Sequence, residues 1–355
     1  MCHTPCPSSV RGGGLSLLLN FLEGLRSGRS RLPIFKSLEF AGLRHLGEES
    51  MGLLGQCLEG PGVVSRVASR LWDTAGRGLY DAHVEMLSGA VRAGCLGGLR
   101  HLTLAYNFFL GKKGIEALMC AFCDLPDKGR EPSLEWLDVR CTRAGGGIGS
   151  VCAALESGGV NKKINLRFSR SRVDDCGMER VREALERGSL SGMRGLDFSF
   201  GTFRGEKVVG LLRAVCSRGL PGLENLCLSG STKGDKGAAE RLTGVLLEAL
   251  ETGSLPTLVE LGVASCELGD SFLLSLAESV SSCCWKRKRF PLQLSSLDLS
   301  ANSLSAQGIS AFFDALQGNS AAFPRLKCVL LEGNCLNTKE KKKFYGQVQS
   351  IRNVN

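Results

Sequence analysis

Cysteine and histidine are the residues of this sequence that could support the widest chemistry, as metal ligands, nucleophiles or proton carriers. The chain contains 16 cysteines, and its four histidines are His3, His45, His83 and His101. Cys120 and Cys123 have the spacing of half a zinc site, but structural zinc takes four ligands and no second such pair lies nearby in the sequence. No Ser-His-Asp or Cys-His arrangement is indicated by spacing. We therefore expect no metal, no cofactor and no enzyme activity.

One short segment suggests nucleotide chemistry but lacks the other motif that this chemistry needs. Asp73-Thr74-Ala75-Gly76 matches the D-T-A-G motif of small GTPases, yet the chain has no G-x-x-x-x-G-K-[ST] loop to hold phosphates. The Gly- and Lys-rich residues 201–207 and 230–237 are mis-spaced for such a loop. We interpret the match as a coincidence.

The cysteines also bear on the compartment. Disulfide scaffolds are short secreted chains with dense cysteine, whereas this chain has 355 residues. The longest apolar candidate, residues 15–22, is interrupted by Asn20 and has the features of neither a membrane span nor a signal peptide. We expect mostly reduced thiols, including the adjacent Cys283 and Cys284, in a cytoplasmic or nuclear protein without membrane contact.

The composition is that of a folded protein with a large aliphatic core. Hydrophobic residues make up 43% and charged residues 22%, which excludes a mostly disordered chain. At roughly 100 to 200 residues per domain the length would give two or three domains, but a repeat array does not follow that estimate. The net charge of +9 is modest for this length.

The elements that position the candidate residues come from an internal repeat. Its strongest copies are Leu326-x-x-Val329-x-Leu331-x-x-Asn334-x-Leu336 and Leu294-x-x-Leu297-x-Leu299-x-x-Asn302-x-Leu304. A third copy has Cys266 at the Asn position. Weaker copies begin at Phe35, Leu99, Leu134, Lys163, Met193 and Leu223, and one around Trp72 fits only by spacing. These make ten units that start roughly 30 to 35 residues apart.

A second recurrence predicts a helix in each unit. In five units an apolar residue falls twelve positions after the last strand residue, in the pairs Leu79 and Val91, Val173 and Leu185, Phe203 and Val215, Leu268 and Val280, and Leu304 and Leu316. Apolar residues three and four apart, as in residues 177–185, are typical of an amphipathic helix. Gly188 and Gly253 then act as helix stops.

The repeated pattern resembles that of leucine-rich repeat proteins, specifically the ribonuclease-inhibitor-like class, over about residues 35–337. The resemblance implies an α/β solenoid, a horseshoe of about ten repeats with a parallel sheet on the concave face and helices on the convex face. It further implies that Asn107, Asn302 and Asn334 bury side chains that satisfy backbone groups at the turn. Thr142, Ser171, Ser231 and Cys266 stand in that place elsewhere.

The ends of such an array need covers. We expect a disordered tail and an N-terminal capping helix within residues 1–34, repeats over 35–337, and a C-terminal capping helix within 338–355. No second domain is expected. The basic run Lys286-Arg287-Lys288-Arg289 fits a solvated loop or a nuclear import signal, and residues 339–343 fit an exposed helix face.

Strand placement predicts which side chains a partner would meet on the concave surface. The predicted partner-binding residues are Arg100, His101, Tyr106, Trp136, Asp138, Arg140, Arg167 and Arg170. Trp, Tyr and Arg are the residues that binding hot spots favour. A register slip of one residue would instead turn these rings into the core. A nucleic-acid groove needs a continuous basic stripe with stacking aromatics, and acidic residues such as Glu135 interrupt this face.

The leading hypothesis is therefore a monomeric, non-catalytic interaction module that binds a protein partner on its concave surface. The resemblance leaves two alternatives. One is a regulator of a small GTPase, because the class includes Ran-type GTPase-activating proteins, although those carry an acidic tail and this C terminus is basic. The other is a ribonuclease inhibitor, whose acidic face does not match a charge of +9.

Overall fold

The computed structural model describes residues 9–10, 37–39, 79–93, 99–124, 133–281, 293–319 and 322–344. The chain forms two compact units, Met1–Val173 and Asp174–Asn355. Both units are built from alternating parallel strands and helices. The predicted helix over residues 15–26, the copy around Trp72, the D-T-A-G segment and the basic run at 286–289 lie outside the described residues.

The strands of the first unit pair in parallel and in chain order. They are β1 Ser9–Val10, β2 Ser37–Glu39, β3 His101–Thr103, β4 Trp136–Asp138 and β5 Asn165–Arg167. The described helices are α1 Asp81–Ala93, α2 Lys112–Cys123 and α3 Ile148–Glu156, the last preceded by a 3-10 turn, Ala144–Gly147. Strand β2 pairs directly with β3. Strand β1 falls in the segment expected to be disordered.

The second unit continues the same alternation. Its strands are β6 Gly195–Asp197, β7 Asn225–Cys227, β8 Glu260–Gly262, β9 Ser296–Asp298 and β10 Cys328–Leu330, again parallel and in order. Its helices are α4 Asp175–Glu186, α5 Gly205–Arg218, α6 Lys236–Thr252, α7 Gly269–Ser281 and α8 Ala306–Gly318. Residues 338–344 are helical as well.

Each unit buries a core between its strands and its helices. The middle residue of every strand from β3 to β10 is buried, and strand neighbours within a unit align in register, as Leu102 does with Leu137. The predicted helix anchors Val91, Leu185, Val215, Val280 and Leu316 are buried too. Nine of the ten described strands, β2 to β10, fall in predicted repeat units, so the repeat count roughly matches the prediction. The protein is an α/β repeat solenoid.

A turn with the same backbone conformation follows each strand from β3 to β10, and most of these turns form it without glycine. The residue three places after each strand from β3 to β10 has a positive φ: Tyr106, Cys141, Arg170, Phe200, Gly230, Ser265, Ala301 and Gly333. Six of these eight are not glycine, although L residues rarely adopt this conformation. The backbone N–H of Tyr106 donates to the Arg140 carbonyl at 2.8 Å, and that of Cys141 to Ser169 at 2.9 Å. The repeat ladder thus extends beyond the strands and holds the turns.

Buried side chains after these turns tie neighbouring repeats together. Asn302 Oδ1 accepts the N–H of Cys266 at 2.8 Å, and its Nδ2 donates to the Val263 carbonyl at 2.8 Å. Asn107 likewise accepts the Leu79 N–H at 3.0 Å. At the same place Cys266 Sγ contacts the Leu228 carbonyl at 3.2 Å. These contacts satisfy buried backbone groups, as the family resemblance implies.

The helical residues 338–344 pack on the second unit through Phe344. Its ring is buried and stacks on Phe313, with centroids 5.9 Å apart. The helix begins with a reciprocal cap, in which Asn337 Oδ1 accepts the Glu340 N–H and Glu340 Oε2 accepts the Asn337 N–H. Across the described residues, no helix has the length and apolar character that crossing a membrane requires.

Candidate functional site

The strand face of the first unit carries a stack of three side chains. Side chains alternate along a strand, so the residues flanking the buried Leu102 and Leu137 lie on the opposite face. His101 and Trp136 are register partners in β3 and β4, and their rings stack with centroids 6.2 Å apart at 18°. The Arg167 guanidinium carbon lies 4.5 Å from the Trp136 ring centroid. We call His101, Trp136 and Arg167 the strand-face stack.

The position of Trp136 shows which face of β4 its ring occupies. Leu137 is fully buried, whereas Trp136 is half-buried on the other side of the strand. The alternative in which the ring faces the core is therefore wrong. Trp136 is nevertheless less exposed than predicted, because Arg167 and His101 lie against its ring.

Asp138 is not exposed, contrary to the sequence prediction. It is 2% exposed, and its carboxylate accepts from Arg140 Nε at 3.0 Å and from Arg140 Nη2 at 2.8 Å. It also accepts the Arg140 backbone N–H at 3.0 Å. Such a charge-assisted, two-pronged contact fixes the guanidinium. Asp138 thus positions Arg140 and closes a local turn.

The same local turn recurs wherever Asp ends a strand. Asp197 accepts the Ser199 N–H at 3.0 Å, and Asp298 accepts the Ser300 N–H at 3.0 Å. Short Asp side chains commonly bond to backbone two residues on. The burial of Asp138 therefore follows from a repeat feature plus the arginine at position 140.

Arg100 lies at the margin of the strand face. Its guanidinium is 3.8 Å from the Glu135 carboxylate, and both side chains are substantially exposed. Exposed pairs of this kind contribute little to stability. Arg100 therefore adds positive charge beside the stack without being required by the core.

Tyr106 and Arg170 do not lie on strands but in the turns that follow β3 and β5. Each occupies the positive-φ position of its turn, as Cys141 does in the turn after β4. Two residues beyond that position lie Phe108 after β3, Arg143 after β4 and Arg172 after β5. Phe109 is next in the first of these turns. We call the set the turn edge: Tyr106, Phe108, Phe109, Arg143, Arg170 and Arg172.

The turn edge exposes three aromatic rings. Tyr106 is 48%, Phe108 50% and Phe109 41% exposed. Phe109 stacks on Tyr80, with centroids 5.2 Å apart at 14°, and the Arg143 guanidinium carbon lies 5.7 Å from its centroid. Sequence analysis missed Phe108, Phe109, Arg143 and Arg172. Phe108, Arg143 and Arg172 lie at equal offsets from their strands, and Phe109 is next to Phe108, which is the signal that could have found them.

The described cysteines differ in exposure. Cys120, on α2, is exposed, and Cys123 is half-buried. No group of three or more His, Cys, Asp and Glu side chains could hold a metal ion in the described part of the chain. Burial, together with the nearby Asp197 charge, raises the pKa of the Cys227 thiol, which keeps it protonated and weakly nucleophilic.

Comparisons with known proteins add a fold likeness only. No protein-family model matches the chain, and no curated protein matches its sequence. The chain is similar to the crystal structure of the Rad7 and Elc1 complex in yeast, at 17% identity and a TM-score of 0.49, over 92% of this chain and 70% of that chain. A Bacteroides fragilis protein is 15% identical with a TM-score of 0.36, over 65% of this chain and 58% of its own. Because both likenesses are this distant, the fold assignment rests on the strands, helices and register of the chain itself.

Proposed function

We propose that the protein is a non-catalytic leucine-rich repeat module of the ribonuclease-inhibitor-like class, which binds a protein partner through the strand face of its first unit. The observation that carries the proposal is the strand-face stack. His101, Trp136 and Arg167 come from three adjacent strands and meet on the side away from the leucine core. Arg100 and Arg140 flank them.

The physical state of the stack supports binding. Trp and Arg dominate binding energies when a partner desolvates them. Here Arg140 is held by Asp138, and Trp136 is held between neighbours, so their rotamers are largely fixed before a partner arrives. Because ordering a long side chain costs about 0.5 to 1.5 kcal/mol on association, this pre-organisation favours affinity.

The same contacts favour a protein over a nucleic acid. Base stacking needs an open aromatic face, and the Trp136 ring already has Arg167 and His101 against it. Glu135 adds negative charge beside Arg100. A partner surface of mixed charge with an apolar centre complements this arrangement.

The test is the substitution Trp136→Ala in the full chain. We expect it to lower stability by only about 1 kcal/mol, because the ring loses a cation–π contact and no core contact. Partner affinity should fall by about 2 kcal/mol or more, roughly 30-fold. Proximity labelling in the native cell identifies the partner, and calorimetric titration with the purified partner measures the affinity.

Leu330→Ala is the matched control, since Leu330 is a large apolar side chain 40% exposed on strand β10 of the second unit. It should leave partner affinity unchanged. Unchanged affinity of Trp136→Ala for every captured partner would contradict the proposal. A small GTPase or a ribonuclease among the captured partners would identify the more specific function.

A further inference from the structure

The turn edge is a second surface, distinct from the strand-face stack, with one sign of charge. Residues 104–111, 139–147 and 168–173 form the three turns after β3, β4 and β5. Together they contain four arginines and no Asp or Glu, and Lys112 and Lys113 follow directly. The turns therefore attract anions over a short stretch of surface.

Carboxylates that border these turns are engaged by the protein itself. The Asp138 carboxylate forms an ion pair with Arg140, and Asp81 accepts the Gly111 N–H at 2.6 Å. Glu116 lies 3.3 Å from Lys112. Along the chain, Asp174 caps α4 by accepting the Gly177 N–H at 2.8 Å. These carboxylates keep their charge but lie outside the turns, and no acidic residue lies within the turns that carry Arg143 and Arg172.

The aromatic rings of the turn edge favour a protein carboxylate over a nucleic acid as the anion that binds there. Tyr80 stacks on the Phe109 ring and the Arg143 guanidinium lies near it, so these neighbours restrict the stacking of a base on this ring. Ring edges carry the positive part of the aromatic quadrupole and suit carboxylates and aliphatic side chains better than stacked bases. Half-exposed Tyr106 and Phe108 add apolar area beside the arginines.

We propose that the turn edge docks an extended acidic segment of a partner protein. Its carboxylates pair with Arg143 and Arg172, and its apolar side chains pack on Tyr106 and Phe108. Adjacent parallel strands lie about 4.8 Å apart, so Phe108, Arg143 and Arg172 span about 10 Å, which about three residues of an extended chain cover. The inference rests on the proposed function in taking the partner to be a protein, but it uses different side chains.

The experiment measures fluorescence anisotropy of labelled probes with the full chain. The first probe is a peptide of about nine residues, enough to cross the edge at ~3.3 Å per residue, made of Asp and Glu with two Leu. The second has Asn and Gln in place of the acids, and the third is an oligothymidylate of similar length. We expect binding of the acidic peptide only, weakening as salt rises from about 50 to about 200 mM. Tighter binding of the oligonucleotide, or no binding of the acidic peptide, overturns the proposal.

Charge reversal tests the location. In the double variant Arg143→Glu and Arg172→Glu, the dissociation constant for the acidic peptide should rise at least roughly tenfold. The charge-matched control is Lys162→Glu with Lys163→Glu, two exposed residues of the first unit on the loop before β5. Its dissociation constant should change by less than about twofold. Equal losses in both variants would place the binding elsewhere and overturn the assignment.

The two proposals fail separately. Trp136→Ala leaves the turn edge intact and should bind the acidic peptide like the original chain. The peptide assay needs no native partner, so its result stands whether or not Trp136 contributes to partner affinity. The opposite result would be that Trp136→Ala abolishes peptide binding while the double variant Arg143→Glu and Arg172→Glu retains it. That result would assign the peptide to the strand face and refute the turn-edge site.

Discussion

His83 is a titratable side chain buried in helix α1 and unused by either proposed surface. It is 6% exposed, and its Nδ1 accepts the Tyr80 N–H at 3.0 Å. Its Nε2 has no hydrogen-bond partner in the described part of the chain. Burial lowers the pKa of His83 from 6.5 to about 4, because the charged imidazolium loses its hydration.

As a consequence, the free energy of unfolding should decrease as the pH falls. The unfolded chain binds a proton at His83 near pH 6.5 and the folded chain only near pH 4, so stability is present above pH 6.5 and is lost as the pH falls through this window. The loss through this group should approach roughly 3 kcal/mol at pH 4. Urea unfolding across the window measures it.

His83→Asn is the informative variant, because its amide oxygen can still accept the Tyr80 N–H but does not titrate. We expect the variant to be less stable at pH 7 and to lose less stability on acidification. Parallel pH curves for the two proteins would show that His83 is not the group responsible.

The buried Asn side chains are the polar links between successive turns. Asn334 Oδ1 accepts the N–H of Asn302 at 2.9 Å and of Leu304 at 3.0 Å, and its Nδ2 donates to the Leu299 and Leu331 carbonyls, both at 3.0 Å. One side chain thus satisfies four backbone groups in two repeats. Asn334→Ala should destabilise the protein by about 2 to 4 kcal/mol, because several buried groups lose their partners at once.

Asn337→Ala provides the comparison in the same segment. Asn337 is exposed and caps the helix of residues 338–344, so its loss should cost about 1 kcal/mol. Chemical denaturation of both variants ranks them. Equal, small losses would mean that water replaces the buried Asn334 contacts.

We expect the unfolding of each unit to be graded, because each repeat packs mainly against its neighbours. In such arrays stability is approximately a sum of repeat terms and nearest-neighbour interfaces. Phe312 in α8 is buried and packs against Phe313 and Phe323, and Phe312→Ala should cost about 3 to 5 kcal/mol. Amide exchange followed by mass spectrometry should then show the largest loss of protection in α7, α8 and β9, and a smaller loss in α4 and α5.

Leu274→Ala is the control for that exchange experiment, because Leu274 lies in α7 but is 38% exposed. It should change protection little. Uniform loss across the second unit in Phe312→Ala would instead indicate a single cooperative block.

The leucine pattern predicted strands β2 to β10 and the helix anchors, and the family resemblance implied the Asn contacts, whereas strand β1 was not predicted. Strand leucines alternate with outward residues, and anchors such as Val280 and Leu316 recur at a constant distance, so burial follows from local periodicity. The same pattern placed Trp136 away from the core. The predicted copy around Trp72 lies outside the described residues and stays a prediction.

Contacts between repeats decided the details of the candidate surfaces, since they join residues about thirty positions apart that no local pattern pairs. One detail is local instead: alternation along β4 predicted an exposed Asp138, but Arg140, two residues on, donates to its carboxylate, which is buried. Arg167 and His101 cover the Trp136 ring from neighbouring strands. Phe108, Arg143 and Arg172 form one edge only because parallel strands in register bring equivalent turns side by side. Periodicity fixes which face a residue takes, whereas its neighbours on that face are fixed by the stacking of whole repeats.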